Sequence, residues 1–358
     1  MKKLLLLCIS LLFLTVGCGK YDSKTAIKEF VSDVNGSKSY KLKGSMEIVN
    51  NEETFIYSLE AYHLKDDYYK VILVNQTNNH EQIILRNNDG VYVVTPSLNK
   101  SFKFQSEWPF NSSQSYILES LVNDVKTDDK VTLLENENNY ILQSKVNYPN
   151  NSELTYQKIY FDKKMNIESV EVYNSEDIVK IKVSFTNVDL KAGLDKEDFL
   201  LEDLIDEACC KNQECSSSDC NDINKEQSNN ELNSENKTQS SSALEDIIYP
   251  LYIPSNTHLN NSEKIDTDNG ERVILTFSGD KDFILIEEVS NASLEFEVIP
   301  VFGDPLMVSD TVAALSHNSL TWTNNNVDYY LASNKLSQEE MIAIASSLGN
   351  TQSVLESK

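Results

Sequence analysis

Ser39-Tyr40-Lys41-Leu42-Lys43-Gly44-Ser45-Met46-Glu47-Ile48 decides how this chain folds. Tyr40, Leu42, Gly44, Met46 and Ile48 alternate with lysines, a serine and a glutamate, the period of two expected of a strand with one buried face. The pattern repeats outward from there. Phe55, Tyr57, Leu59 and Ala61 follow, then Tyr69, Val71 and Leu73, then Ile83 and Leu85. Asn88-Asp89-Gly90 is a hairpin turn before Val91-Tyr92-Val93-Val94, and Pro96 closes that strand. Five further strands are expected at 131–135, 140–148, 154–162, 167–173 and 178–188, with Asp162-Lys163-Lys164-Met165-Asn166 as one of the turns.

Two segments break the period. Ala26, Ile27, Phe30, Val31 and Val34 stand at helical spacing before Asn35-Gly36. Tyr116, Ile117, Leu121 and Val125 place a second helix at 114–125. About ten antiparallel strands with one helix in front and one inserted midway make an α+β fold, a curved antiparallel half-barrel with a helical lid. Alternation puts Leu42, Met46, Phe55, Tyr57, Leu59, Val71 and Leu73 on its concave face, where they are expected to line an apolar cavity.

The composition changes sharply at 206–243. Large apolar residues almost vanish among Asn, Ser, Gln and Glu, so nothing offsets the entropy of ordering this stretch, and it reads as a linker. It carries Cys209, Cys210, Cys215 and Cys220. Local disulfides, free thiols and a metal site are all open at that spacing. The adjacent pair Cys209-Cys210 fits poorly with the C-x₂₋₄-C knuckles of a structural zinc site, so disulfides are the simpler reading. Residues 244–350 form a second, smaller α+β unit. Strands are expected at 272–277, 283–288, 294–298, 319–323 and 327–332. Ser337 with Glu340 is a capping box opening a last helix, and Gly349 ends it. Residues 351–358 are a tail.

The chain starts with Lys2-Lys3, an apolar run from Leu4 to Val16, then Gly17-Cys18. Two lysines, a short apolar stretch and a small residue before cysteine form a lipoprotein signal peptide over 1–17. Cys18 then takes a diacylglyceryl group, and 18–24 is a tether. Two acyl chains supply the double anchor that stable attachment needs, at about 0.8 kcal/mol per buried CH₂. Thr15 departs from the leucine usual three residues before the cysteine. The expected place is the extracytoplasmic face of the cell membrane. A formal charge of −25 excludes nucleic acid as a partner, because such a surface repels phosphates.

No motif points to catalysis. His63, His80, His258 and His317 lie far apart in sequence, and no Gly-x-Ser-x-Gly, His-x-x-x-His or phosphate loop occurs. Glu47, Glu60 and Glu171 alternate with apolar residues and read as a solvated sheet face rather than a paired-acid site. Trp108-Pro109-Phe110 reads either as core packing or as a lid edge. No cofactor or metal is expected, and the chain is read as not an enzyme.

The first unit resembles the LolA/LolB lipoprotein-carrier fold over about 25–203. The likeness rests on element order and on the closing stretch Ile181-Lys182-Val183-Ser184-Phe185-Thr186-Asn187-Val188-Asp189-Leu190 followed by Leu194-Asp195-Lys196-Glu197-Asp198-Phe199. The second unit, with Ser319-Leu320-Thr321-Trp322 before Asp328-Tyr329-Tyr330, is similar to a domain that follows LolA-like domains in spore-formers. Together they resemble LolA-like lipoproteins of spore-forming Firmicutes, a group that includes sporulation and germination lipoproteins such as GerS. The shuttle's early-strand arginine is absent here: Lys41 and Lys43 stand on the corresponding strand, and the domain's only arginine is Arg86. The resemblance implies a membrane-anchored accessory protein that binds a lipid or acyl ligand, a lipoprotein or an envelope protein in sporulation or germination. The alternative is a scaffold that docks a cell-wall hydrolase without an apolar ligand.

Overall fold

The computed structural model describes residues 22–50, 53–211, 244, 246–267, 270–290 and 296–348. Cys18 and the signal peptide lie outside these residues, as do Cys215, Cys220, Gly349 and the tail.

The first helix, α1 (Ser23–Gly36), is capped by Asp22, whose carboxylate accepts from the Thr25 amide at 2.9 Å. Five strands follow in meander: β1 (Ser39–Asn50), β2 (Glu53–Leu64), β3 (Tyr68–Asn75), β4 (Glu81–Asn87) and β5 (Gly90–Thr95). A 3₁₀ turn at Pro96–Leu98 leads to β6 (Lys100–Phe104), which the sequence reading missed. Its alternating Lys and Phe, on a stretch of five residues between a proline and a tryptophan loop, is too short to stand out. The second helix, α2 (Leu118–Thr127), begins four residues later than expected. Tyr116 and Ile117 are buried all the same, in the turn where the Ile117 amide reaches Gln114. Then come β7 (Thr132–Glu135), β8 (Asn139–Lys145), β9 (Leu154–Asp162), β10 (Ile167–Asn174) and β11 (Val179–Asp189).

β11 returns to pair antiparallel with β1, so the two meanders fuse into one open sheet. Register shifts at Lys43/Gly44 and at Val172/Tyr173 add twist, as bulges do. Gly44 is required at the first of them, because a Cβ there would lie 2.1 Å from the Ser184 carbonyl oxygen. The apolar stripes of α1 (Ala26, Phe30, Val34) and α2 (Leu118, Leu121, Val125) fill the concave face against Leu42, Leu59 and Val71.

After a 3₁₀ turn at Glu197–Phe199, α3 (Leu201–Lys211) lies on the convex face, where Phe199 and Leu204 cover Leu85, Tyr92 and Val94. This corrects the boundary drawn at 205/206: the backbone of Cys209 and Cys210 is helical. Leu201 and Leu204 supply the helix's apolar contact with that face.

The second unit is a seven-stranded sheet in the order β12-β13-β14-β19-β18-β17-β16. Its strands are β12 (Thr257–Thr267), β13 (Gly270–Gly279), β14 (Phe283–Val289), β16 (Asp304–Val308), β17 (Thr311–Leu315), β18 (Ser319–Asn324) and β19 (Val327–Ala332). The capping box at Ser337 and Glu340 opens α4 (Gln338–Ser346), which packs Met341, Ile344 and Ala345 on Leu275, Leu285 and Leu331. The remaining strand, β15 (Glu297–Val301), leaves its own unit and pairs in parallel with β6. It is the twelfth strand of the first sheet, so the two units are not independent bodies joined only by a linker.

Candidate functional site

Register divides the concave face into two halves. The start of β1 (Tyr40), the end of β2 (His63) and the start of β3 (Tyr69) lie at one rim, and α2 is pinned there. Ile117, the residue before α2, has no side chain able to cap it. Tyr40 does the work from across the sheet: its hydroxyl accepts from the Leu118 amide at 3.2 Å and donates to Glu119 at 2.7 Å. The second Glu119 oxygen lies 3.1 Å from His63 Nε2, while His63 Nδ1 faces the Tyr68 carbonyl at 3.1 Å. Burial pushes the Glu119 carboxyl up and holds the His63 imidazole down to about 4. His63 stacks on Tyr69 and packs tilted against Tyr40 around this contact. At this rim α2 is part of the core.

At the opposite rim, where β1 ends and β9 and β11 begin, no helix of the first unit covers the sheet among the described residues. A cavity of about 930 Å³ opens there. Its first wall is the sheet: Met46, Ile48, Ile84, Leu154 and Ile181, with Tyr116 beside them. The second wall belongs to the other unit, where Leu306, Met307 and Val312 of hairpin β16–β17 and Ile342 of α4 face it. The mouth is polar and carries Ser152, Glu153, Lys180, Lys281, Glu339 and Glu340. Ser152 N–H donates to Glu339 at 3.0 Å, joining the two units, and Lys281 pairs with Glu340 at 3.0 Å. A volume near the top of the usual 300–1,000 Å³ of ligand sites, with an apolar interior and a polar entrance, suits an elongated amphiphile or an apolar peptide segment.

Of the seven positions expected to line a cavity, Met46 alone does so. Leu42, Tyr57, Leu59, Val71 and Leu73 are buried and Phe55 is half-buried, all packed in the core. Alternation gave the right face but not the half of it left uncovered by helices. The other wall was out of reach of sequence reading, because β16 and β17 are five-residue strands whose role depends on docking against the first unit. Trp108 is core: it is buried, and its carbonyl accepts from Arg86 at 2.8 Å. Arg86 also lies over the half-exposed Phe110 ring. Lys41 and Lys43 both reach Glu60, and Lys182 lies 3.6 Å from Glu171, so these charges dress the convex face as expected. The side chains of Cys209 and Cys210 lie outside the described residues.

A strap leads from the end of the linker to the cavity. The Leu244 amide donates to Glu271 at 3.2 Å and the Ile248 amide to Glu287 at 3.1 Å. Further on, the Tyr252 amide donates to Ser347 Oγ at 3.1 Å, and Tyr252 lines the cavity. Glu287 is fully buried, and among the described residues its second oxygen has no hydrogen-bond partner. Burial raises its carboxyl to about 7, from an ordinary 4.5.

Among proteins of known sequence, the chain is 36% identical to the sporulation protein YdcC of Bacillus subtilis (strain 168) over 350 residues, covering 97% of both chains. Solved structures with a similar course include a LolA-superfamily protein of Nitrosomonas europaea, at 10% identity and TM-score 0.30, covering 51% of this chain and 99% of that one. A chain in the complex of the CwlD amidase with the GerS lipoprotein, from Clostridioides difficile, matches at 16% identity and TM-score 0.29, over 48% of this chain and 98% of its own. The family model described as sporulation protein YdcC-like matches residues 1–199. On both counts, this chain belongs to the sporulation protein YdcC-like family.

Proposed function

We propose that this protein is a membrane-anchored, extracytoplasmic accessory lipoprotein of sporulating cells, which binds an apolar chain of a lipid or lipoprotein and performs no chemistry on it. The observation that carries this reading is the 930 Å³ cavity between the two units, apolar within and polar at the mouth. The sequence around Cys18 supports the anchor, since two acyl chains on that residue hold a protein stably at a bilayer. The shared family supports the setting in sporulation.

A second reading is docking of an envelope protein, such as a cell-wall hydrolase, without an apolar ligand. It is favoured by an exposed apolar run beside the cavity, where Tyr249, Leu251, Tyr252 and Ile253 are 44, 63, 41 and 37% exposed. Mass spectrometry of an organic extract of the purified full chain separates the two. A stoichiometric co-purified lipid supports the first reading. An extract empty of lipid, with capture of one envelope protein that is lost in Leu251→Asp, supports the second.

A further inference from the structure

The cavity lies beside an open strand edge. β16 ends the second sheet, and among the described residues it pairs with β17 alone. Leu306 packs against the second unit's core and Met307 against the first's, yet both line the cavity, as does Pro305. Neighbours on opposite faces of a strand share a cavity only when it flanks the strand. The hairpin itself is fixed, with Val308, Ala313 and Leu315 in one core and Val312 and Ala314 in the other.

The phase of the ladder decides which backbone groups face that space. The turn bond of this two-residue hairpin joins Val308 and Thr311, so Leu306–Ala313 and Asp304–Leu315 are the next hydrogen-bonded pairs. Met307 and Val312 form the pair between them, and their backbone groups point away from each other. The Val312 amide shows this directly, because it donates to Gln82 at 2.7 Å rather than to β16. Met307 therefore directs its N–H and C=O off the free edge, and Pro305, which has no N–H, directs its carbonyl the same way. Among the described residues none of these groups has a hydrogen-bond partner. A hydrocarbon tail cannot supply one. A peptide backbone can.

The space also suits a strand. Ile48 and Ile181 of the first sheet bound it on one side and Ile342 of α4 on the other, so both faces of an added strand would meet apolar walls. At the mouth, Glu153 and Lys180 have no partner among the described residues, which matches a charge of either sign beside an apolar run. The cavity continues an interface between the units that already works by strand pairing, β15 with β6.

We propose that the cavity takes an extended apolar peptide segment of a partner protein, added as a strand to the free edge of β16 and centred on Met307. This goes beyond the acyl-chain reading and needs only the cavity and the edge.

The probe is a fluorescein-labelled heptapeptide of alternating valine and leucine between a terminal lysine and a terminal glutamate, titrated into the full chain. Saturable binding is expected. N-methylation of every apolar residue keeps the side chains, removes the backbone donors and should weaken binding by about tenfold or more, the factor that one to two net hydrogen bonds supply. Hydrogen exchange reads the same contact in the wild-type chain: the Met307 amide should exchange ahead of those of Leu306 and Val308, and slow by about tenfold or more at saturating peptide. Met307→Pro removes the edge donor while sparing the ladder to β17 and should weaken the parent peptide, whereas Met307→Leu should not. Equal affinity for the parent and N-methylated peptides, an unchanged Met307 amide, or no saturable binding would each overturn the proposal. A dansyl-labelled fatty acid titrated in parallel keeps the two readings apart. A chain that binds the fatty acid and not the peptide refutes the added strand alone, and the reverse refutes the acyl-chain reading alone.

Discussion

Glu287→Gln should change the pH dependence of stability by a predictable amount. In the folded protein the Glu287 carboxyl is fully buried and titrates at about 7, against an ordinary 4.5. Below the ordinary value both folded and unfolded chains hold the proton, and stability is at its full level. As the pH rises from 4.5 toward 7 the unfolded chain loses its proton while the folded chain keeps it, so stability falls. Beyond about 7 both are ionised and the loss levels off. At 1.36 kcal/mol per unit the loss is on the order of 3 kcal/mol. Glutamine keeps an acceptor for the Ile248 amide and never ionises. Its NH₂ replaces an oxygen that already lacks a partner, a penalty of about 1–3 kcal/mol that does not depend on pH. The variant is therefore the less stable protein near pH 4 and equal or superior near pH 8, with the difference between the two moving by about 3 kcal/mol. Asp124, raised by burial to about 6, and Glu119 drift the same way but are present in both proteins and cancel. Urea unfolding followed through Trp322, which stacks on Tyr329 in the same unit, reads the effect in a Trp108→Phe background with no other tryptophan. Parallel stability curves for the two proteins would refute the reasoning.

Further outcomes follow from the anchor, the linker and the core. Cys18→Ala should move the protein from the membrane fraction to the soluble fraction or stop its maturation; a processed form that still sediments with membranes would contradict the lipid anchor. Limited proteolysis should cut first within 212–243, after α3 ends at Lys211, because Ile223 and Leu232 are the only large apolar residues in that stretch to order it. Resistance lifted by reductant would reveal disulfides among the cysteines, and resistance lifted by chelator would reveal a metal. Leu59→Asp should abolish cooperative melting of the first unit, since an unpaired carboxylate at a 1% exposed core position costs several kcal/mol. A folded, fully ordered Leu59→Asp protein would show that the half-barrel is not packed there.

The first unit was legible because each strand has one wet and one dry face. Alternation over Tyr40–Ile48 and its successors located β1–β5 and β7–β11 closely, and Ser337 with Glu340 marked the start of α4 to the residue. What escaped has physical causes. β12 has exposed residues on both faces, so it carries no period of two. β15 owes its place to pairing with β6, a contact nearly two hundred residues distant that no local pattern encodes. For the site, Met46 was identified and the rest of the lining was not, because helices α1 and α2 cover one half of the concave face only. Which half stays open depends on the Tyr40–Glu119–His63 contact and on the docking of β16–β17, both long-range.

The central claim is that the space between the two units takes an apolar ligand, and equilibrium binding of a dansyl-labelled fatty acid to the full chain tests it most directly. Ile181 and Met307 stand on opposite walls at the edge of the first unit's core and are half-buried, so a carboxylate at either keeps contact with solvent through the cavity. The account predicts saturable binding to the wild-type chain, lost in both Ile181→Asp and Met307→Asp while both variants still melt cooperatively. Binding that persists in both folded variants, or a folded wild-type chain with no saturable binding, would contradict it.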